Sequence, residues 1–229
     1  MRAAAEQVQE RGQVQERGQV TRQRLIDAAL AVFGEYGFDG ASTRTLADRA
    51  GANLAAIPYH FRSKEGLYRA AAQHIVDRMA AQMASLLDEI EQALQNPRLP
   101  REEALGLLHR YLDALVTVLV GWREADNWCA FIMREQLAPG AAFDILYEGF
   151  MRRLGDVLAG LLSALLKPPK NEHTLALSAI AIFGQILVFR TGRNSALRRL
   201  GWKEFSSDHL KQIQSMIRNH VDRIVTQGG

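Results

Sequence analysis

The sequence predicts an all-α chain: a small N-terminal three-helix domain with a helix-turn-helix pattern, then a larger helical domain. Three observations lead there. Apolar residues recur at i, i+3, i+4 and i+7 through most of the chain after residue 20. No segment of any length shows the two-residue alternation of a half-buried strand. Helix stops such as Gly37, Gly51, Asn96-Pro97 and Pro100 fall between the periodic runs.

Residues 1–20 stand apart. QVQERG occurs at 7–12 and again at 13–18, but six residues turn a helix by about 240°, so Val8, Val14 and Val20 do not share a face. The segment reads as a flexible or partly helical extension, or alternatively as a basic arm reaching DNA beside the main motif. From Thr21 the pattern becomes helical, with Leu25, Ala29, Val32, Phe33 and Tyr36 on one side and Gly37 as the stop. Ser42 or Thr43 opens a short second helix that ends at Gly51. Asn53 caps a third, which Pro58 keeps short because proline has no amide donor and strains the preceding turn. A long fourth helix starts at Ser63 and carries Leu67, Tyr68, Ala71, Ile75, Met79 and Met83 toward Leu94. Further helices are expected at about 101–120, 127–137, 141–166, 172–190 and 207–226. The expected domains are the extension 1–20, the helix-turn-helix domain 21–68 and the larger domain 69–229.

Composition narrows the function classes. The 229 residues are 48% hydrophobic and 23% charged, ordinary globular usage with enough apolar mass for a substantial core. Cys129 is the single cysteine, which removes an intramolecular disulfide and a Cys-rich zinc site and fits a reducing, cytoplasmic setting. The N-terminus lacks the apolar run of a secretion signal. The longest apolar stretch, 175–189, is about fifteen residues against the roughly 20 a spanning helix needs, so no membrane is expected. There is no phosphate loop, no HExxH and no signature of a nucleophile, and His60, His74, His109, His173, His209 and His220 are scattered. The expectation is a chain that is not an enzyme, with no cofactor and no metal.

The net charge is only +3, but it is unevenly distributed. Residues 42–69 hold Arg44, Arg49, Arg62, Lys64 and Arg69 against Asp48 and Glu65. Two short helices joined by a glycine turn form the helix-turn-helix pattern, whose second helix enters the major groove. Small Ala55 and Ala56 on that helix let its backbone approach base edges, while Tyr59, His60 and Lys64 are suited to phosphates. The segment 21–70 resembles the DNA-binding domain of the TetR family: Phe33, Gly37-Phe38, Ser42-Thr43, Leu46-Ala47, Ala50-Gly51, Tyr59-His60-Phe61 and Ser63-Lys64-Glu65 carry the likeness. Pro58 departs from it, standing where the family more often has leucine. The resemblance implies a repressor of double-stranded operator DNA, with Thr43 and Arg44 contacting backbone or bases. It places Asn53, Leu54, Ala55 and Ala56 at the groove and Tyr59, His60 and Lys64 on phosphates.

In the larger domain, 175–189 is apolar on nearly every side, and Leu210, Ile213, Ile217, Val221 and Ile224 form one seam. Packing these helices from two subunits as a four-helix bundle would bury both, as TetR-like proteins do, so a homodimer is expected with Ile182, Phe183, Ile186, Leu210, Ile213, Ile217, Val221 and Ile224 at its interface. Burial within one subunit is the alternative. Between the two parts lies a stretch rich in large side chains, where Trp128, Phe131, Met133, Arg134, Phe143, Tyr147, Phe150 and Met151 are the expected lining of a pocket for a mostly apolar effector. This stretch and FGQILVFRTGRNSALRRLGW resemble the C-terminal domain of the CecR subgroup of TetR regulators, which implies control of efflux or detoxification genes. The basic run Arg190, Arg193, Arg198, Arg199 and Lys203 admits solvated surface, pairing with a partner subunit, or capture of an anion. The rival reading for the whole chain is a helical ligand-binding or scaffold protein without specific DNA binding.

Overall fold

The computed structural model describes residues 2–122 and 125–227, with side chains from 16 to 122 and from 128 to 226. Among the described residues every regular element is a helix. The chain divides into two compact units. The first is Met1–Val76 with Asn127–Leu146, and the second is Asp77–Asp126 with Tyr147–Gly229. The expected boundary at 68/69 is therefore not where packing divides the chain, and 127–146 return to the N-terminal unit.

In the first unit, α1 runs from Arg2 to Gly40 and so includes the stretch expected to be flexible or partly helical. Its helical geometry breaks at Gly37 (φ 75°, ψ 178°), a conformation glycine adopts without steric cost. There follow α2 (Thr43–Ala50), α3 (Ala56–Phe61) and α4 (Lys64–Leu94), the last beginning in the first unit and ending in the second. Leu25, Ile26, Ala29 and Phe33 of α1 close over Leu46, Ile57, Phe61, Leu67 and Tyr68, all buried. Into this core come α6 (Ala125–Leu137) and α7 (Phe143–Leu146). Phe131 packs 4.8 Å from the Tyr68 ring, which also meets Phe33 at 4.8 Å and Phe38 at 5.1 Å. Such offset and edge contacts between rings add roughly 0.5–1.5 kcal/mol each beyond area burial.

The second unit is built from α5 (Arg101–Val116, continued by a π-helical turn Thr117–Gly121), α8 (Arg152–Leu165, preceded by a π-helical turn Tyr147–Met151), α9 (Glu172–Thr191), α10 (Arg193–Leu200) and α11 (Ser207–Gln227). Its core is leucine-rich: Leu108, Leu112 and Leu115 of α5 meet Leu158, Leu161 and Leu162 of α8. The Tyr111 hydroxyl, deep in this core, donates to the Leu154 carbonyl at 2.6 Å, and burial pushes its phenol well above the usual range.

The expected dimer seam of α11 packs differently from the expectation. Ile213, Ile217 and Val221 are buried within the single chain, where α11 lies against α5 and α9, and Ile217 has no exposed surface at all. Ile182 and Ile186 of α9 are buried in the same way, while Phe183, Leu210 and Ile224 are half-buried. An amphipathic seam needs only one apolar neighbour, and the subunit supplies it. What α9 leaves outside is its opposite face, with Ile180 67% exposed beside Leu177, Leu187 and Val188. The twenty residues of α9 match the helix expected at about 172–190. By length and composition alone it and Arg101–Gly121 could cross a membrane, but both pack into this bundle through Leu175, Ala179, Ile182 and the α5 leucines.

Candidate nucleic-acid interface

The helix-turn-helix is held by local chemistry. Ser42 caps α2, its Oγ accepting from the Thr45 amide at 3.0 Å. Gly51 closes α2 in the left-handed conformation (φ 58°), its N–H donating to the Ala47 and Asp48 carbonyls. Asn53 then turns the chain: its Oδ1 accepts from the Ala55 amide at 2.9 Å, and its carbonyl accepts from Ala56 at 2.8 Å. Leu46, Ala47 and Ala50 of α2 and Ile57 and Phe61 of α3 face inward. Pro58 sits exposed within α3, which is only six residues long and ends at Arg62 with φ 68°. The next helix approaches closely, since a Cβ on Gly66 would lie 2.0 Å from the Phe61 carbonyl oxygen. Only glycine lets α4 start there.

What remains outside is a surface suited to DNA. Thr43 and Arg44 on α2 are exposed, as are Asn53, Leu54 and Ala55 at the turn, with Ala56 half-buried. Tyr59 is 83% exposed, and its ring meets His60 edge-on at 4.8 Å. Lys64 is a correction to the phosphate role expected of it. Its ammonium donates to the Phe38 and Ala41 carbonyls at 2.9 and 3.1 Å and lies 4.3 Å from the centre of the Phe38 ring. Those carbonyls lie just past the Gly37 break, so the cation secures the end of α1 against the start of α4 rather than reaching outward.

Of the residues expected to line an effector pocket, the structure assigns Trp128, Phe131, Met133, Arg134 and Phe143 to the first unit and Tyr147, Phe150 and Met151 to the second. Trp128 and Phe131 are core residues, a correction with a simple cause: α6 presents them to the inner side of α4, where His74 and Tyr68 receive their rings. Arg134 is a clamp. Its Nε donates to the Gly34 carbonyl at 2.7 Å and its Nη2 to the Glu35 carbonyl. Glu135, only 3% exposed, accepts from the Tyr68 hydroxyl and from the Gly140 amide. Desolvation first, then the Glu135 carboxylate, raises the Tyr68 phenol far above its usual range, so it stays a donor at any physiological pH. Glu135 stands between Arg134 and Gln136 in the sequence, so only its burial in the fold marks it as the brace. Beside it is a cavity of about 600 Å³ lined by Phe38, Tyr68, Arg134, Glu135 and the 137–141 loop.

Comparison with known proteins accounts for both halves. Residues 25–71 match the family described as bacterial regulatory proteins, tetR family. Residues 104–227 match the C-terminal domain of the HTH-type transcriptional dual regulator CecR. The CecR regulator of Shigella flexneri is 36% identical over 204 residues, covering 89% of this chain and 91% of that protein. Among solved structures, AibR in complex with isovaleryl coenzyme A and operator DNA superposes with a TM-score of 0.61 at 14% identity, over 87% of this chain and 97% of that one. FadR from Bacillus subtilis in complex with stearoyl-CoA gives 0.56 at 16% identity, over 90% and 98%. These last two share the fold. An exposed helix-turn-helix on a braced N-terminal unit, joined to a CecR-type helical domain, makes this chain a member of the TetR family of DNA-binding transcriptional regulators.

Proposed function

We propose that this regulator is a cytoplasmic repressor that occupies a palindromic operator as a homodimer and leaves it when a small, mostly apolar effector binds, with efflux or detoxification genes as its targets. The observation that carries the reading is the surface of α2 and α3: Arg44 and Tyr59 stand free for the backbone, while small Ala55 sits at the turn where a groove-bound helix would meet base edges. The outward apolar face of α9 suits a two-fold partner, because a second copy would bury Ile180 and Leu187 against the same residues. Relatives support the effector: two proteins of this fold bind acyl-coenzyme A thioesters, molecules with a long or branched apolar arm.

Release needs an effector that binds one state better than another. The element suited to transmit that bias is α4, whose 31 residues give about 45 Å of continuous helix. A tilt of α4 would change the separation of the two recognition helices in a dimer, and an operator with fixed half-site spacing would lose one of them.

The test is a gel shift with the control region of its own gene, followed by a salt titration. Arg44→Ala should weaken binding and flatten the dependence of log affinity on log salt by about 0.9 per lost phosphate contact. Ala55→Gln should instead change sequence preference with the slope intact. Failure of the wild type to shift that region, or any selected duplex, would leave the rival reading of a ligand-binding protein without specific DNA binding.

A further inference from the structure

We propose that residues 16–24 of α1 form a second DNA-contacting element, in which Arg17 and Arg22 bind phosphates of the duplex flanking each half-site. The proposal rests on the DNA-binding reading above and adds a surface to it. The sequence left residues 1–20 as a tail or an arm. The structure makes residues 2–20 part of α1, continuous with the first helix of the helix-turn-helix unit.

Continuity alone would leave the direction of this helix open, but two contacts fix it. Gly18 lies beside the recognition helix, where a Cβ would meet His60 Cε1 at 3.9 Å, an ordinary van der Waals contact. One turn later the Arg22 guanidinium lies 5.3 Å from the centre of the Phe61 ring. Gly18 and Arg22 are four residues apart and share a helix face, and that face borders the C-terminal end of α3. This is the end that carries Tyr59, the most exposed large apolar side chain on this surface. Basic groups on the free side of α1 here stand next to the same phosphates that Tyr59 and His60 would meet.

The charges suit that place. Arg17, Arg22 and Arg24 are exposed and Glu16 is the one acid among residues 16–24, giving a local excess of two positive charges. The Arg22 guanidinium lies over the Phe61 ring, which orders the side chain while its N–H groups keep donors for a phosphate. The partner is committed by this chemistry to a double-stranded polyanion tracked through its backbone. No base-reading role is assigned, since Arg17 and Arg22 flank the recognition helix rather than extend it.

The experiment uses the full-length chain and two duplexes obtained by selecting binders from a random library: one trimmed flush with the half-sites, one carrying an extra half-turn at each end. Affinity is measured by fluorescence anisotropy across a salt series. Wild type should bind the extended duplex more tightly than the trimmed one. Arg17→Ala/Arg22→Ala should lose at least tenfold on the extended duplex, with a salt slope flatter by about 1.8 per subunit, and should no longer distinguish the two lengths. Arg17→Lys/Arg22→Lys should keep the slope, which separates lost charge from a disturbed helix. An alanine double variant with wild-type affinity, slope and length response would overturn the proposal, as would a lysine variant as weak as the alanine one. If instead the wild type selects no duplex at all, the DNA-binding reading itself fails, a result distinct from either.

Discussion

α9 and α11 look alike in one respect and end in different places. Both are long, both carry isoleucines at helical spacing, and both were expected at a subunit interface. The α11 seam is instead closed inside the chain, whereas α9 closes one face and leaves another apolar face open. The difference lies in surplus. α11 has one apolar stripe, with Arg218, Arg223 and Lys211 elsewhere on its surface, and one neighbour satisfies it. α9 is apolar around most of its circumference, so packing Leu175, Ala179, Ile182 and Ile186 inward does not exhaust it. An amphipathic stripe identifies a helix that will be buried, and only an apolar excess identifies one with something left for a second chain.

This contrast can be broken by experiment. The largest effect belongs to Ile217→Asp, which would bury a carboxylate without a partner in the second unit's core. The cost should be several kcal/mol, enough to abolish cooperative unfolding or soluble expression. A well-folded variant whose only defect is dissociation would restore the expected interface. Ile180→Asp on α9 should do the reverse: a normal thermal unfolding curve at low concentration, but a sedimentation profile shifted from dimer to monomer. If that variant sediments as wild type, the open face of α9 is not the dimer contact.

The smallest effect concerns a surface ion-pair cluster that a stripe-based account treats as neutral. Arg153 of α8 donates through Nε to Glu91 at 2.7 Å and also contacts Asp88, both on α4. The guanidinium hydrogen bond holds the Glu91 carboxyl below its usual range against a smaller opposing effect of burial. A depressed carboxyl stabilises above its unfolded pKa of about 4.3 and loses that contribution as pH falls through the folded value. These groups are a third or more exposed, so Arg153→Met should cost under about 1 kcal/mol at neutral pH. The difference from wild type should shrink further below pH 4. A larger or pH-independent loss would mean that the arginine stem, not its charge, holds α8 to α4.

Legibility in the sequence followed the range of the interaction. Ser42, Gly51 and Asn53 cap and turn the chain through partners two to four residues away, so α2, the turn and α3 could be placed from local pattern. Lys64 could not. Its acceptors lie 26 and 23 residues earlier, and nothing in the spacing of a basic residue near a helix start distinguishes a clamp from a phosphate ligand. Arg134 and Glu135 are the same problem at greater range, with acceptors and donors up to 100 residues away. Trp128 and Phe131 read as lining for a ligand because aromatic rings suit both a cavity and a core, and only the fold decides which.

The return of 127–146 to the first unit bears on synthesis. A chain emerging from the ribosome can form α1 to α3 early, because their contacts are local. Their hydrophobic side stays incomplete until Phe131 reaches Tyr68 and Arg134 reaches the Gly34 carbonyl. At roughly 5–20 residues per second, the interval between residue 76 and residue 146 amounts to several seconds. During that time the nascent DNA-binding half lacks its brace, so competence to bind the operator is acquired only after part of the following domain has been made.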